Sequence, residues 1–257
     1  MTKKDRLAVI STKNPNTVLL ETIDGLKKYY SEFDIVVVDS DSDNKQGFDM
    51  VPSDVIIEYA QNKNWELGAW VYAYNKYNDY QVYMFIQDSQ TPISRVPDLD
   101  INDFNRGTLY SFHFHDKTIT SGGFLDVNIL YNVYKDTNLH FLYGIDPNTE
   151  ILGTGGTSFI TNNTNVRTIL QLEDAYIEKN ITKTKVDSWF SERTGGLLAD
   201  MASNVRINLE PYFYKRYLRR DYSERGNMGT LDEHNPNVKN NPKVKNNKRV
   251  KMGMVYI

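Results

Sequence analysis

The stretch Ile35 to Asn44, IVVVDSDSDN, runs four apolar β-formers straight into aspartates at alternating positions, Asp39, Asp41 and Asp43. Carboxylates that close repel one another, so this end of the segment must meet solvent, a cation or a ligand's hydrogen-bond donors. Three chemistries compete for it. A calcium loop uses acids at positions 1, 3 and 5, but it also needs Gly at position 6 and Glu at position 12, where this chain has Asn44 and Met50. A solvated turn rich in Asp and Ser forms for local reasons alone. A ligand crevice at the carboxyl edge of an open α/β sheet is the third reading. Two further segments bear on the choice. Val82 to Ile86 (VYMFI) runs into Gln87-Asp88-Ser89-Gln90, and Asn62 to Ala69 reads NKNWELGA. Elsewhere, His113 and His115 sit two apart, so on a strand they share a face; this suits a metal pair or a half-buried strand face.

The elements that must position these groups alternate. Arg6 to Ser11 predicts a first strand and Asn14-Pro15-Asn16 the turn after it. Val18, Leu19, Thr22, Ile23 and Leu26 recur at helical spacing behind an Asn16 or Thr17 cap. The run Ile35 to Val38 is continuous and β-branched, as in a strand covered on both faces of a parallel sheet. Asp54 to Glu58 (DVIIE) predicts a third strand, residues 62 to 77 a helix whose apolar face carries Leu67, Trp70, Val71 and Tyr74, and Val82 to Ile86 a fourth strand. Alternation of this kind predicts an α/β fold with a mostly parallel central sheet, its strands delivering polar residues at their carboxyl ends. The second half is less regular. Thr108 to His115 alternates like an edge or antiparallel strand, Ile151 to Ile160 (ILGTGGTSFI) reads as a glycine-rich turn before a strand or helix, and Val186 to Met201 reads as a helix.

Bulk composition narrows the function classes. The formal charge of -3 provides no global basic field, which argues against bulk nucleic acid as partner. No cysteine is present, which removes disulfides, thiolate nucleophiles and Cys-ligated zinc and is compatible with a reducing compartment. No run approaches the roughly 20 apolar residues of a spanning helix, so a soluble, cytoplasmic protein is expected. Beyond Glu233 the residues Lys239, Lys243, Lys245, Lys248, Arg249 and Lys251 form a basic stretch with no acid among them, a solvated tail or a weak contact to an anionic surface. One domain over residues 1–220 is expected, in two halves of about 1–95 and about 96–220, followed by a polar, basic tail over 221–257.

Three motifs in order carry a family resemblance: Val38-Asp39-Ser40-Asp41-Ser42-Asp43, Asn62-Lys63-Asn64-Trp65-Glu66-Leu67-Gly68-Ala69, and Phe85-Ile86-Gln87-Asp88-Ser89-Gln90. Over residues 5 to 95 the chain resembles the GT-A class of nucleotide-sugar glycosyltransferases, most closely the family-2-like branch and relatives that act in rhamnan or other surface-polysaccharide synthesis. The resemblance implies a GT-A, Rossmann-like sheet and transfer of a sugar from a nucleotide-sugar donor to a hydroxyl acceptor, such as a glycan. It implies a donor half at about 1–95 and an acceptor half at about 96–220, and that Asp39 contacts the base, with Asp41, Lys63, Gly68, Gln87 and Asp88 at the donor. A divalent cation, Mn or Mg, is implied at Asp88, although this chain has D-S-Q where the family pattern is D-x-D. A late histidine, His234 by position, is implied beside the cation. An acid near the start of a late helix is implied as general base, here Glu192 with Asp187 nearby and Glu173-Asp174 as the rival. Two alternatives remain open: a nucleotide-sugar-binding domain that has lost catalysis, and a nucleotidyltransferase, for which the early glycine-rich phosphate loop is missing.

Overall fold

The computed structural model describes residues 5–61, 65–97, 99, 104, 107–116, 151–170, 185–215, 217–220 and 228–231. Four parallel strands form the first half of a seven-stranded sheet: β1 (Arg6–Thr12), β2 (Asp34–Asp39), β3 (Ile56–Tyr59) and β4 (Val82–Gln87). The sheet is completed by β6 (Thr108–Asp116), β7 (Ile151–Asn162) and β8 (Val205–Asn208), in the order β3-β2-β1-β4-β7-β6-β8. Strand β7 is antiparallel to both neighbours, and β8 is parallel to β6. Two small antiparallel ribbons accompany it, β5 (Gln90–Pro92) with β9 (Phe213–Lys215), and β10 (Tyr217–Arg220) with β11 (Met228–Leu231). This is the α/β architecture, with a mostly parallel central sheet, that the alternation predicts.

Helix α1 (Thr17–Tyr29) starts where Asn16 caps it, its side chain accepting from the Val18 backbone N–H at 2.9 Å, and ends with Lys27 and Lys28 near its negative pole. Its apolar stripe of Leu19, Ile23 and Leu26 packs on Ala8, Ile10, Ile35, Val37, Met84 and Ile86. The other face of the sheet, with Val9, Val36, Val38 and Phe85, takes α2 (Trp65–Lys76), α3 (Asn163–Leu170) and α4 (Lys185–Ala202). Cover on both faces is why Ile35 to Val38 is apolar at every position rather than at alternate ones. Gly25 in α1 lies against the Pro92 carbonyl and ring, so β5 is seated where a larger residue would push it off.

Of the two readings of Thr108 to His115, the antiparallel strand holds: β6 pairs antiparallel with β7, and it is not an edge because it lies between β7 and β8. One expectation for the second half is corrected, since the glycines of Ile151 to Ile160 are not a turn. They lie inside β7, where the register with β6 jumps from Ser111 opposite Phe159 to His113 opposite Thr154, a bulge that accommodates glycine readily. The third strand also starts two residues later than expected, at Ile56.

Candidate functional site

Because β1 to β4 are parallel, their carboxyl ends share one edge, and register decides which residues meet there. Thr12 pairs with Asp39, and Asp39 pairs with Tyr59. On the other flank Ser11 pairs with Gln87, which brings Asp88 beside Thr12. The Thr12 hydroxyl donates to Asp88 Oδ2 at 2.6 Å, while the Thr12 carbonyl accepts from Ser40 N at 2.9 Å. One row, Tyr59–Asp39–Thr12–Asp88, therefore crosses four strand ends, with Thr12 tied to both flanks. With strands about 4.8 Å apart, the two aspartates stand about 10 Å from one another.

Asp39 is 1% exposed. Its Oδ1 accepts from the Ser42 backbone N–H at 2.9 Å and from the Ser42 hydroxyl, and Ser42 Oγ in turn accepts from Asn14 N at 2.7 Å. The carboxylate thus folds the loop after β2 around itself and ties it to the loop after β1. Its Oδ2 looks toward Lys45, whose Nζ is 3.9 Å away. The same ammonium lies 4.7 Å from the centroid of the Tyr59 ring, and buried Phe48 meets that ring edge-on at 5.7 Å. Tyr59 itself is 41% exposed, a large flat surface at the rim of the row.

Asp88 differs in its electrostatics. Burial disfavours its charged form and raises its pKa to about 6 from 3.8, against the opposing pull of the Thr12 hydroxyl and the Ser89 backbone N–H. Its backbone is fixed as well: Asp88 N donates to Ser11 O at 3.0 Å, and the Thr22 hydroxyl of α1 donates to the Asp88 carbonyl at 2.6 Å. Gln90, two residues on, is fully buried; its Oε1 accepts from Gln87 N at 2.8 Å, and its Nε2 has no hydrogen-bond partner among the described residues. Gln90 thus braces the turn after β4. Asp88 therefore fits a hard cation as a lone protein carboxylate, with water and phosphate oxygens completing the shell, which is a common arrangement for Mg. Among the described residues no group of three or more His, Asp or Glu gathers to hold a metal.

Backbone conformation marks the same edge. Asn14, Asp41, Gln61 and Trp65 all have positive φ, between 51° and 64°. They lie in the loops after β1, β2 and β3 and at the start of α2. Asn and Asp tolerate this region, but a tryptophan there is held by its surroundings at a cost, as is common where a loop is shaped for a ligand.

Compared with known proteins, the chain is similar to the crystal structure of S. aureus TarS 1–349, with a TM-score of 0.43 and 14% identity, covering 82% of this chain and 60% of that one. A likeness of that size assigns no residue and no activity. No family model and no curated protein matches the chain.

The other expected site residues are distributed as follows. Asp41 adopts φ 64° in the loop beside Asp39, and Asp43 is exposed in the same loop. Gly68 is buried early in α2, and Gln87 ends β4. Lys63, His234 and the rival pair Glu173-Asp174 lie outside the described residues, as do the side chains of His113 and His115. Asp187 and Glu192 belong to α4, and their side chains also lie outside them. Helix α4 leads into β8, which runs parallel to β6 and so in the direction of β1 to β4. Sequence reasoning missed Thr12, Ser42, Lys45 and Tyr59. For Thr12 and Tyr59 a signal existed, since each closes a strand at the edge where ligands bind.

The loops after β1 and β2 are locked at Gly47, in the 3₁₀ turn Gln46–Met50, because a Cβ there would overlap the Pro15 carbonyl. Gly47→Ala is expected to cost about 1–3 kcal/mol of stability by overpacking. It should also loosen Lys45 and Tyr59, seen as a lower melting temperature together with faster amide exchange at Ser42 and Ala60.

Proposed function

We propose that the protein is a glycosyltransferase that moves a sugar from a nucleotide-sugar donor to a hydroxyl acceptor on a glycan, acting in the cytoplasm. The observation that carries this reading is the Tyr59–Asp39–Thr12–Asp88 row across the carboxyl edge of four parallel strands. The row offers what a nucleoside diphosphate needs in the order it needs it. Tyr59 provides a face for the base to stack on, and Asp39 Oδ2 an acceptor for a base N–H. Asp88, about 10 Å further along by strand spacing, lies where the diphosphate would come. Lys63 is assigned to the phosphates, with Asp41 and Gly68 shaping the donor pocket and Gln87 holding the turn that presents Asp88. A cation, Mn or Mg, held by Asp88 would neutralise charge on the departing diphosphate, with His234 assigned beside it. Glu192 is assigned to accept the proton of the acceptor hydroxyl as the new glycosidic bond forms, with Asp187 near the acceptor.

A second reading, a nucleotide-sugar-binding domain without turnover, is favoured by one observation: the buried Gln90 removes the second carboxylate of the D-x-D pattern. Incubation with a panel of nucleotide-sugars and Mn separates the two. Transfer predicts slow donor hydrolysis with release of nucleoside diphosphate; stabilisation on heating without hydrolysis leaves the binding domain; release of pyrophosphate from a nucleoside triphosphate contradicts both. Tyr59→Leu keeps apolar bulk but removes the stacking face and is expected to weaken nucleoside diphosphate binding by about tenfold in a calorimetric titration, since base–aromatic stacking contributes ~1–3 kcal/mol.

A further inference from the structure

We propose that Lys45 closes the base slot of the free protein and, on binding, carries its ammonium from Asp39 and Tyr59 to the donor's diphosphate, so that it selects diphosphorylated ligands over bare nucleosides. This rests on the donor-site reading above. Three observations lead to it. Lys45 Nζ sits 4.7 Å from the centroid of the Tyr59 ring, the volume that a stacked base would take. Among the described residues it is also the cation paired with Asp39 Oδ2, the oxygen that remains after Ser42 has engaged Oδ1. The side chain is held loosely, being 57% exposed and 3.9 Å from a carboxylate that is itself 2% exposed.

Base and ammonium cannot occupy that volume together. When a base stacks on Tyr59 and donates an N–H to Asp39, it replaces the hydrogen-bonding side of the lost ion pair but leaves an ammonium displaced. The flexible four-carbon stem of lysine lets that charge move without disturbing the 3₁₀ turn after it. A bare nucleoside provides no new counter-ion for it; a diphosphate provides one a few ångströms along the same edge. Lys45 thus opposes binding of the base and favours binding of the phosphates, and the selectivity is the product of the two effects.

The test is a set of titrations of the full chain and of Lys45→Met with uridine, UDP, guanosine and GDP, whose bases both present an N–H to a carboxylate. Lys45→Met retains the apolar stem, and an unchanged melting temperature verifies its fold. The expected result is nucleoside binding unchanged or up to about threefold tighter, and binding of the preferred diphosphate about tenfold weaker, since one charge-assisted contact is lost. Lys45→Arg should retain most of the selectivity. An equal loss for nucleoside and diphosphate, or no change in either, overturns the proposal and leaves the donor site standing. A wild-type chain that binds neither UDP nor GDP overturns the donor site and this proposal together.

Discussion

Asp88→Asn is expected to melt higher than the wild type above pH 7 while losing nucleotide-sugar turnover by about a hundredfold to a thousandfold, the scale on which a removed charge-stabilising group is felt. The two effects have one origin. The carboxyl of Asp88 titrates at about 6 in the folded chain and near 3.8 when exposed, because burial opposes its charge. Between those values the folded state holds the proton more firmly than the unfolded state does. Stability therefore falls as pH rises through the window, and the penalty is complete above about pH 6. A difference of roughly two pH units corresponds to at most about 3 kcal/mol. Asparagine removes the charge but still accepts from the Thr12 hydroxyl through its amide oxygen. The gain in melting temperature should vanish below pH 4 and reach its maximum above pH 7; a gain independent of pH would contradict the burial account. In the wild type, cation-dependent turnover should rise with pH through the same region as the carboxylate ionises.

Asp39→Ala is expected to weaken nucleoside diphosphate binding by about a hundredfold and to cost about 1–3 kcal/mol of stability. The affinity loss follows from removing a charged acceptor, the stability loss from leaving the Ser42 N–H without its partner. Asp39→Asn separates the two. It keeps an oxygen for Ser42 and so most of the stability, but it turns an NH2 toward the base and should lose the affinity. Calorimetry and thermal melts on the pair check this, and an Asn variant that binds like the wild type would make Asp39 a loop anchor and nothing more.

The first half of the fold was legible because its physics is local. Continuous apolar runs at Ile35 to Val38 and Val82 to Ile86 are what a strand covered on both faces requires, and the helix between the first two strands has both its cap and its stripe in sequence. Asp39 and Asp88 were legible for the same reason, since they are polar residues at the ends of such strands. Thr12 was not, because its importance is its register with Asp39 and its hydroxyl's reach to Asp88, 76 positions away. Tyr59 was missed because the third strand was ended one residue early at Glu58, and Lys45 because a single lysine in a loop has no pattern. Gln90 was legible as a departure from D-x-D, but only its burial turns the missing carboxylate into a brace. The glycines of β7 misled because a bulge and a turn ask for the same residue.

The central claim is that one crevice, on the edge where β1 to β4 end, grips a nucleoside diphosphate. Backbone amide spectra of the labelled chain, recorded while UDP or GDP is added with Mg, test it most directly. The account predicts shifts that saturate together at Ser40, Ser42, Ala60 and Asp88, with the amino-edge amides of Leu7, Ile35 and Tyr83 left in place. Shifts that avoid those four, or that gather at the opposite edge, would contradict it.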